Sequence, residues 1–210
     1  MRKCWPGTSP QFFAQAADVL ASSFLISMKT KLIVLLAAVA TACLIPSLNA
    51  AVEPAIQAKI DAEIVAATSL AADPTLLAAV KAHNAGISAE AQAMTQEKWK
   101  TLTLLDPFVR SFSKNPSGEV LKAKKSVYIT EGFLSGADGV KVAFLSKPTN
   151  WSHKGKPKHD QPMLGKNWQG EVEVDESTGL QQVQIAVPVL DGGKPIGSLV
   201  VGLSLTKMKN

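Results

Sequence analysis

The spacing of apolar residues changes once along the chain, near Ser126, and this change constrains the fold more than any other feature. Before Ser126, apolar residues recur three and four positions apart, as in amphipathic helices. After it, segments rich in Val, Ile and Leu are separated by short clusters of Gly, Asp and Ser, which is typical of strands joined by tight turns. We therefore predict an α+β fold, with a long N-terminal helix or helices packed on a five-stranded antiparallel sheet.

Two Asp-Pro pairs mark predicted helix starts, because a capping carboxylate followed by proline is favoured at that position. Asp73-Pro74 restarts a helix that ends at 84–86, and Asp106-Pro107 starts a shorter one that ends at Asn115. The other predicted helices are a first one with Ile56, Ile60, Ile64 and Val65 on its apolar face, a segment from Ser88 towards Trp99, and one or two turns capped by Ser117.

Five strands follow, and three of their four connections are short turns rich in Gly and Asp, at 135–139, 175–179 and 191–194. Short turns of this kind join antiparallel strands. Only the connection from Pro148 to Gln169 is long. The predicted strands are Val127–Leu134, Val140–Lys147, Gly170–Val174, Leu180–Leu190 and Ile196–Leu205.

A signal peptide is predicted over residues 28–50. Two lysines lie in residues 28–31, an uncharged apolar run covers 32–44, and cleavage is expected near Ala50, which places the domain in the periplasm or outside the cell. Residues 1–27 precede a complete signal, so we predict that translation starts at Met28. The alternative to cleavage near Ala50 is lipoprotein processing at Cys43.

Removal of residues 1–50 changes the charge balance of the chain. The 22 basic and 17 acidic residues become 18 and 16, because four basic residues and one acidic residue are lost, so no nucleic-acid partner is indicated. Cys4 and Cys43 are also lost, which excludes a disulfide framework. Residues 51–210 fit a single domain.

The order of the strands and turns resembles the Cache family, the PAS-like extracytoplasmic sensor domains. The first hairpin reads ITEGFL before a DGVKVA turn and strand, and residues 185–203 read IAVPVLDGGKPIGSLVVGL, as in the last two strands of that family. The likeness covers roughly residues 52–208 and implies a PAS-like sheet that binds a small molecule.

Most Cache domains lie between two transmembrane helices, whereas no second apolar span follows residue 50 here. We therefore expect no transmembrane segment after processing, and a signal passed to a separate membrane sensor kinase or cyclase. The alternative is an interaction protein that docks on a membrane sensor without a small ligand.

The long connection contains most of the candidate binding residues, since loops of this length in compact domains are usually functional. Its tryptophans either form walls of a pocket or hold the loop on the sheet. Its histidines and flanking lysines indicate an anionic or amino-acid-like ligand, unless the loop is merely a solvated basic segment. Arg110 and Glu131, outside the connection, are expected to add polar contacts at the floor of the pocket. The candidate ligand-binding residues are Trp151, His153, His159, Asp160, Trp168, Arg110 and Glu131.

Other chemistry is weakly indicated. His153, His159 and Asp160 are suitable metal ligands, but the neighbouring lysines make a poor cage, so we predict neither a metal nor a cofactor. No GxSxG, HExxH or phosphate-binding glycine loop is present, and we therefore predict that the protein is not an enzyme. A hydrolase with unrecognisable motifs is the remaining alternative.

Overall fold

A computed structural model describes residues 52–174 and 181–209. The predicted signal peptide, its cleavage near Ala50, the extension 1–27 and the turn at 175–179 lie outside these residues. In the described part, the order of elements is α1 (Pro54–Ala71), α2 (Pro74–Ala85), α3 (Ala89–Gln92), α4 (Gln96–Thr101), α5 (Pro107–Lys114), α6 (Pro116–Ala123), β1 (Ile129–Gly136), β2 (Lys141–Phe144), α7 (Pro157–Met163), β3 (Trp168–Val174), β4 (Gln181–Asp191), β5 (Lys194–Ser204) and α8 (Leu205–Lys209).

Capping side chains set the helix starts, as two of the sequence signals predicted. Asp73 Oδ1 accepts a hydrogen bond from the Thr75 backbone N–H at 2.8 Å, and Asp106 Oδ1 accepts one from Phe108 at 3.0 Å. The Ser117 cap was wrong: α6 starts at Pro116, and the cap is Asn115. The segment from Ser88 contains two short helices, because Thr95 caps a new one after α3 has ended.

The five strands form one antiparallel sheet in the order β2-β1-β5-β4-β3. This sheet, with its helices, confirms the predicted α+β class. Strand ends differ from the prediction by a few residues. The largest difference is at β2, which ends at Phe144 rather than Lys147, and Leu205 belongs to α8 rather than to β5.

One face of the sheet, the helix face, is covered by α1 and α2. Its side chains and those of the two helices form an apolar core in which Ile60, Leu76 and Val80 are fully buried. Val65, predicted on the apolar face of α1, is instead 66% exposed, since it lies about 100° round the helix from the half-buried Ile64. The sheet residues of the helix face are Leu134, Val183, Ile185, Val187, Leu199, Val201 and Leu203.

The opposite face, the loop face, is covered by residues 145–167. The connection that was predicted as a loop contains α7, which starts at Pro157 and packs on β3, β4 and β5. Gly165, with φ +76°, follows α7 as the chain turns towards β3. The sheet residues of the loop face are Glu131, Phe133, Ser135, Gln184, Ala186, Ser198 and Val200, which follow the two-residue alternation of the strands.

Among the described helices, none is by itself long and apolar enough to cross a membrane. The pair α1 and α2 passes the length and composition test only when taken together, and the two are bent by 64° at the break between them.

Candidate functional site

Residues 145–167, the covering segment, are held on the sheet at their start by an aromatic cluster. Trp151 is 5% exposed, and its ring centroid lies 5.0 Å from that of the fully buried Trp99. The Trp151 backbone N–H donates to Gln96 Oε1 at 2.8 Å, and Trp99 Nε1 donates to the Pro148 carbonyl at 2.8 Å. Trp151 is therefore placed to anchor the segment. Phe108, Phe112 and Phe144 complete the cluster.

Lys141 lies beneath this segment and is 1% exposed. Its Nζ lies 2.5 Å from His153 Nδ1, and it donates to Ser135 Oγ and to the Gly139 carbonyl, each at 3.3 Å. It also lies 4.7 Å from the centroid of the Phe133 ring. In residues 52–174 and 181–209, no carboxylate forms an ion pair with this ammonium.

The protonation of Lys141 and His153 follows from their burial. Burial and, after it, the nearby charge of Lys158 lower the pKa of Lys141 to about 7, against the opposing effect of Asp138. Burial and then the Lys141 charge lower the pKa of His153 to about 2. His153 is therefore neutral at pH 7 and accepts from Lys141 through Nδ1. Its ring stacks on Phe133 with 4.6 Å between centroids.

His159, on α7, is 1% exposed and meets Ser198 of β5, with 2.8 Å between Nδ1 and Oγ. Its Nε2 lies 3.4 Å from the Ala137 carbonyl, which can only accept, so Nε2 carries the proton and Nδ1 accepts from the serine. Burial lowers the pKa of His159, which favours this neutral form. A serine–histidine pair also occurs in hydrolases, but Ser198 is fully buried and a carbonyl stands where a carboxylate would orient the base.

A polar row crosses the loop face next to Phe133. Glu131 accepts a hydrogen bond from Gln184 Nε2 across β5, and Lys158 of α7 donates to Gln184 Oε1. This bridge needs a glycine at position 202 of β5, the strand between β1 and β4, because a Cβ there would lie 2.4 Å from the Glu131 Cγ. Burial lowers the pKa of Lys158, while Glu131 and Glu173 raise it.

Trp168 is half-buried at the start of β3, opposite Ala186, and borders a small cavity of about 170 Å³ that Gln184 also lines. Asp160 is exposed, and its Oδ1 accepts from the Gly155 N–H at 3.0 Å. Arg110 is exposed on α5. Glu131, Trp151, His153, His159 and Trp168 thus belong to the loop face or its cover, whereas the side chains of Asp160 and Arg110 face solvent. No group of three potential metal ligands occurs in the described parts of the chain.

A groove of about 530 Å³ runs beside Lys141. It lies between the turn that follows α2, which contains Gly86 and Ile87, and α5, where Phe108 and Phe112 line it. Lys141 and Val142 form part of the lining of this groove.

Sequence reasoning missed Lys141, Ser135 and Ser198. Lys141 and Ser198 lie on predicted strands, and Ser135 lies in the turn predicted at 135–139. The alternation of residues shows which strand positions share a face but not what covers that face. A lysine between two valines, as in Val140-Lys141-Val142, is expected to point to solvent. The signal that could have identified it is the length of the connection at 148–169, which is sufficient to cover a sheet face.

No family model and no curated protein sequence matches the chain. Several solved structures resemble it. The sensor domain of the Vibrio cholerae histidine kinase DctB is 15% identical, with a TM-score of 0.44 over 73% of this chain and 54% of that one. The ligand-binding domain of the Campylobacter jejuni chemoreceptor Tlp3 with 4-methylisoleucine is 12% identical, with a TM-score of 0.38 over 76% and 64%.

The ligand-binding domain of the Pseudomonas aeruginosa amino acid chemoreceptor PctC in complex with GABA is 13% identical, with a TM-score of 0.34 over 73% of this chain and 62% of that one. The chain thus spans a little over half to about two thirds of the length of these structures.

Proposed function

We propose that the chain is an extracytoplasmic small-molecule-binding sensory domain of the Cache type, which binds an anionic ligand at the loop face and passes its signal to a separate membrane partner. The observation that carries the proposal is the buried ammonium of Lys141, which has three hydrogen-bond partners and no ion pair in the part of the chain that the structure describes.

A buried charge without a counter-charge is unfavourable. An anionic group of a ligand, such as a carboxylate, would supply that counter-charge and would raise the pKa of Lys141 towards its ordinary value. Ser135 and the neutral His153 provide further polar contacts, and the groove beside α5 would provide the route by which the ligand enters. Binding would therefore be coupled to the packing of the covering segment, which is the coupling that a sensor needs.

The docking alternative is favoured by a different observation. Leu104 and Leu105 are 55% and 87% exposed between α4 and α5, and adjacent apolar side chains in water are a feature of protein contact sites. In that case the buried polar residues of the loop face serve only to hold the covering segment in place.

A thermal-shift screen of the purified chain against organic acids, amino acids, amines and purines tests the proposal. A ligand at 100 times its dissociation constant should add about 2.7 kcal/mol to the free energy of unfolding. We expect an anionic compound to raise the melting temperature, and we expect Lys141→Met to abolish that rise.

Lys154→Met is the matched control, because Lys154 lies on the segment that covers Lys141 but is itself exposed. A ligand effect that is lost in both variants, or kept in Lys141→Met, would contradict the proposed site. If no compound has an effect, and Leu105→Ser abolishes binding to a membrane sensor, the docking alternative is correct.

A further inference from the structure

A second cavity lies away from the loop face. This cleft, of about 520 Å³, opens between the C-terminal half of α1, the start of α2 and the segment that joins α6 to β1. Its apolar wall is formed by Ala66, Ala67, Leu70, Pro74, Ile129 and Val201. The volume falls in the range of small-molecule sites, which are concave and mainly apolar.

The cleft exists because small residues lie where two helices diverge. α1 and α2 are bent by 64° at the break between them, and Ala66, Ala67 and Ala72 line the space beside that break. Ala67 is buried, whereas Ala66 and Ala72 are exposed, so the wall runs from the helix-face core out to solvent. An apolar molecule that enters it therefore buries its surface without displacing any side chain.

The charges around the cleft favour a cation. Glu63 is half-buried and makes no hydrogen bond or ion pair with any other described residue. Asp73 adds a second carboxylate, which caps α2 through Thr75, and Lys124 is the single basic residue that lines the cleft. The last turn of α1 contains no basic side chain, so the partial negative charge at its C-terminal end is not compensated there.

We infer that this cleft binds a small amphiphilic cation, with an apolar body against the alanine wall and a protonated amine at Glu63. The inference is independent of the proposed function, since it concerns other residues and the opposite charge of ligand.

Hexylamine, hexan-1-ol and hexanoate are the probes, because they share one apolar chain and differ in charge. Titration calorimetry with the purified full chain should show that hexylamine binds about three- to tenfold more tightly than hexan-1-ol, the range of one charge-assisted contact at a partly exposed site. In Glu63→Gln the amine and the alcohol should bind alike. Preference for hexanoate, with loss of binding in Lys124→Gln, would overturn the inference.

Filling the cleft provides an independent readout. Ala66→Leu should abolish binding of hexylamine while the melting temperature stays within a few degrees, since Ala66 is exposed on α1 and leucine is a good helix former. Ala58→Leu, two turns earlier on α1 and outside the cleft, is the control and should bind normally. If hexylamine does not bind, or binds equally well to Ala66→Leu, the cleft is not a cation site.

Discussion

The two faces of the sheet are both buried but differ in chemistry. The helix face packs aliphatic side chains against α1 and α2. The loop face combines an aromatic cluster with buried polar groups, of which Lys141, His153, His159 and two serines are the most enclosed. In the described residues, this domain thus keeps purely apolar packing on one face of the sheet and most of its buried polar side chains on the other.

The segregation follows from the way in which each face is covered. Regular helices satisfy their own backbone hydrogen bonds and present aliphatic stripes, so the helix face needs no polar side chains. An irregular segment has backbone groups that need partners, and side chains of α4 supply some of them. Gln96 accepts from the Trp151 N–H, and Trp99 donates to the Pro148 carbonyl.

The largest expected effect is on the aromatic cluster. Trp99→Ala should lower the free energy of unfolding by about 3–5 kcal/mol, because Trp99 is fully buried and contacts three other rings. Urea denaturation followed by circular dichroism measures this. Leu105→Ala, at an 87% exposed position, should change it by less than about 0.5 kcal/mol. Equal effects of the two variants would show that the aromatic cluster around Trp99 does not contribute to the stability of the fold.

Two buried valines, one on each face of the sheet, separate stability from binding. Val187 lies on the helix face and Val200 on the loop face, and both are fully buried. Each Val→Ala change should cost about 1–3 kcal/mol, from lost apolar burial and a small cavity. Only Val200→Ala should also weaken binding of the loop-face ligand, as measured by the thermal shift. Weakened binding in Val187→Ala alone would place the ligand on the wrong face.

Lys141→Met should stabilise the fold, in contrast to the substitutions above. Removing a buried unpaired charge in favour of an apolar chain of similar volume should raise the free energy of unfolding at pH 7 by about 1–2 kcal/mol. Because burial lowers the folded-state pKa of Lys141 from 10.5 to about 7, the unfolded chain binds more protons between those pH values. The stability of the native sequence should therefore rise as the pH increases from about 7 towards 10.5.

Urea denaturation at pH 7 and pH 9 checks this dependence. The part of the rise in stability that comes from Lys141 should be absent in Lys141→Met. The native sequence should also lose stability below pH 6.5, since burial lowers the pKa of His153 to about 2. If the free energy of unfolding of Lys141→Met rises between pH 7 and pH 9 as much as that of the native chain, Lys141 titrates normally.

The smallest effect is expected at the turn between α1 and α2. Asp73→Ala removes the acceptor for the Thr75 N–H and should cost about 1 kcal/mol. Asp73→Asn keeps an acceptor at the same place and should lose only a few tenths of that value. Thermal unfolding of the two variants separates them. An equal loss would show that the charge, rather than the hydrogen bond, is responsible.

Local signals were sufficient for much of the fold. Asp73 and Asp106 each accept a hydrogen bond from the backbone N–H two residues ahead, so the sequence alone could reveal both caps. The helix α7 was missed because Lys156 at its N-cap makes no capping bond and Pro162 lies inside it. The burial of Lys141 was missed for a different reason, since burial depends on residues more than ten positions away that fold over it, among them His153.

The strand order also determines when the domain can form. β1 lies between β2 and β5, so one edge of β1 has no strand beside it until Lys194–Ser204 is available, more than fifty residues after β1 has ended. Pairing over such sequence separations makes folding slow relative to helix formation. A chain released only as far as β4 would hold Ile129–Gly136 and Gln181–Asp191 as two unjoined strand edges. Assembly of this sheet therefore waits until β5, the last of its five strands along the described chain, is available to join β1 to β4.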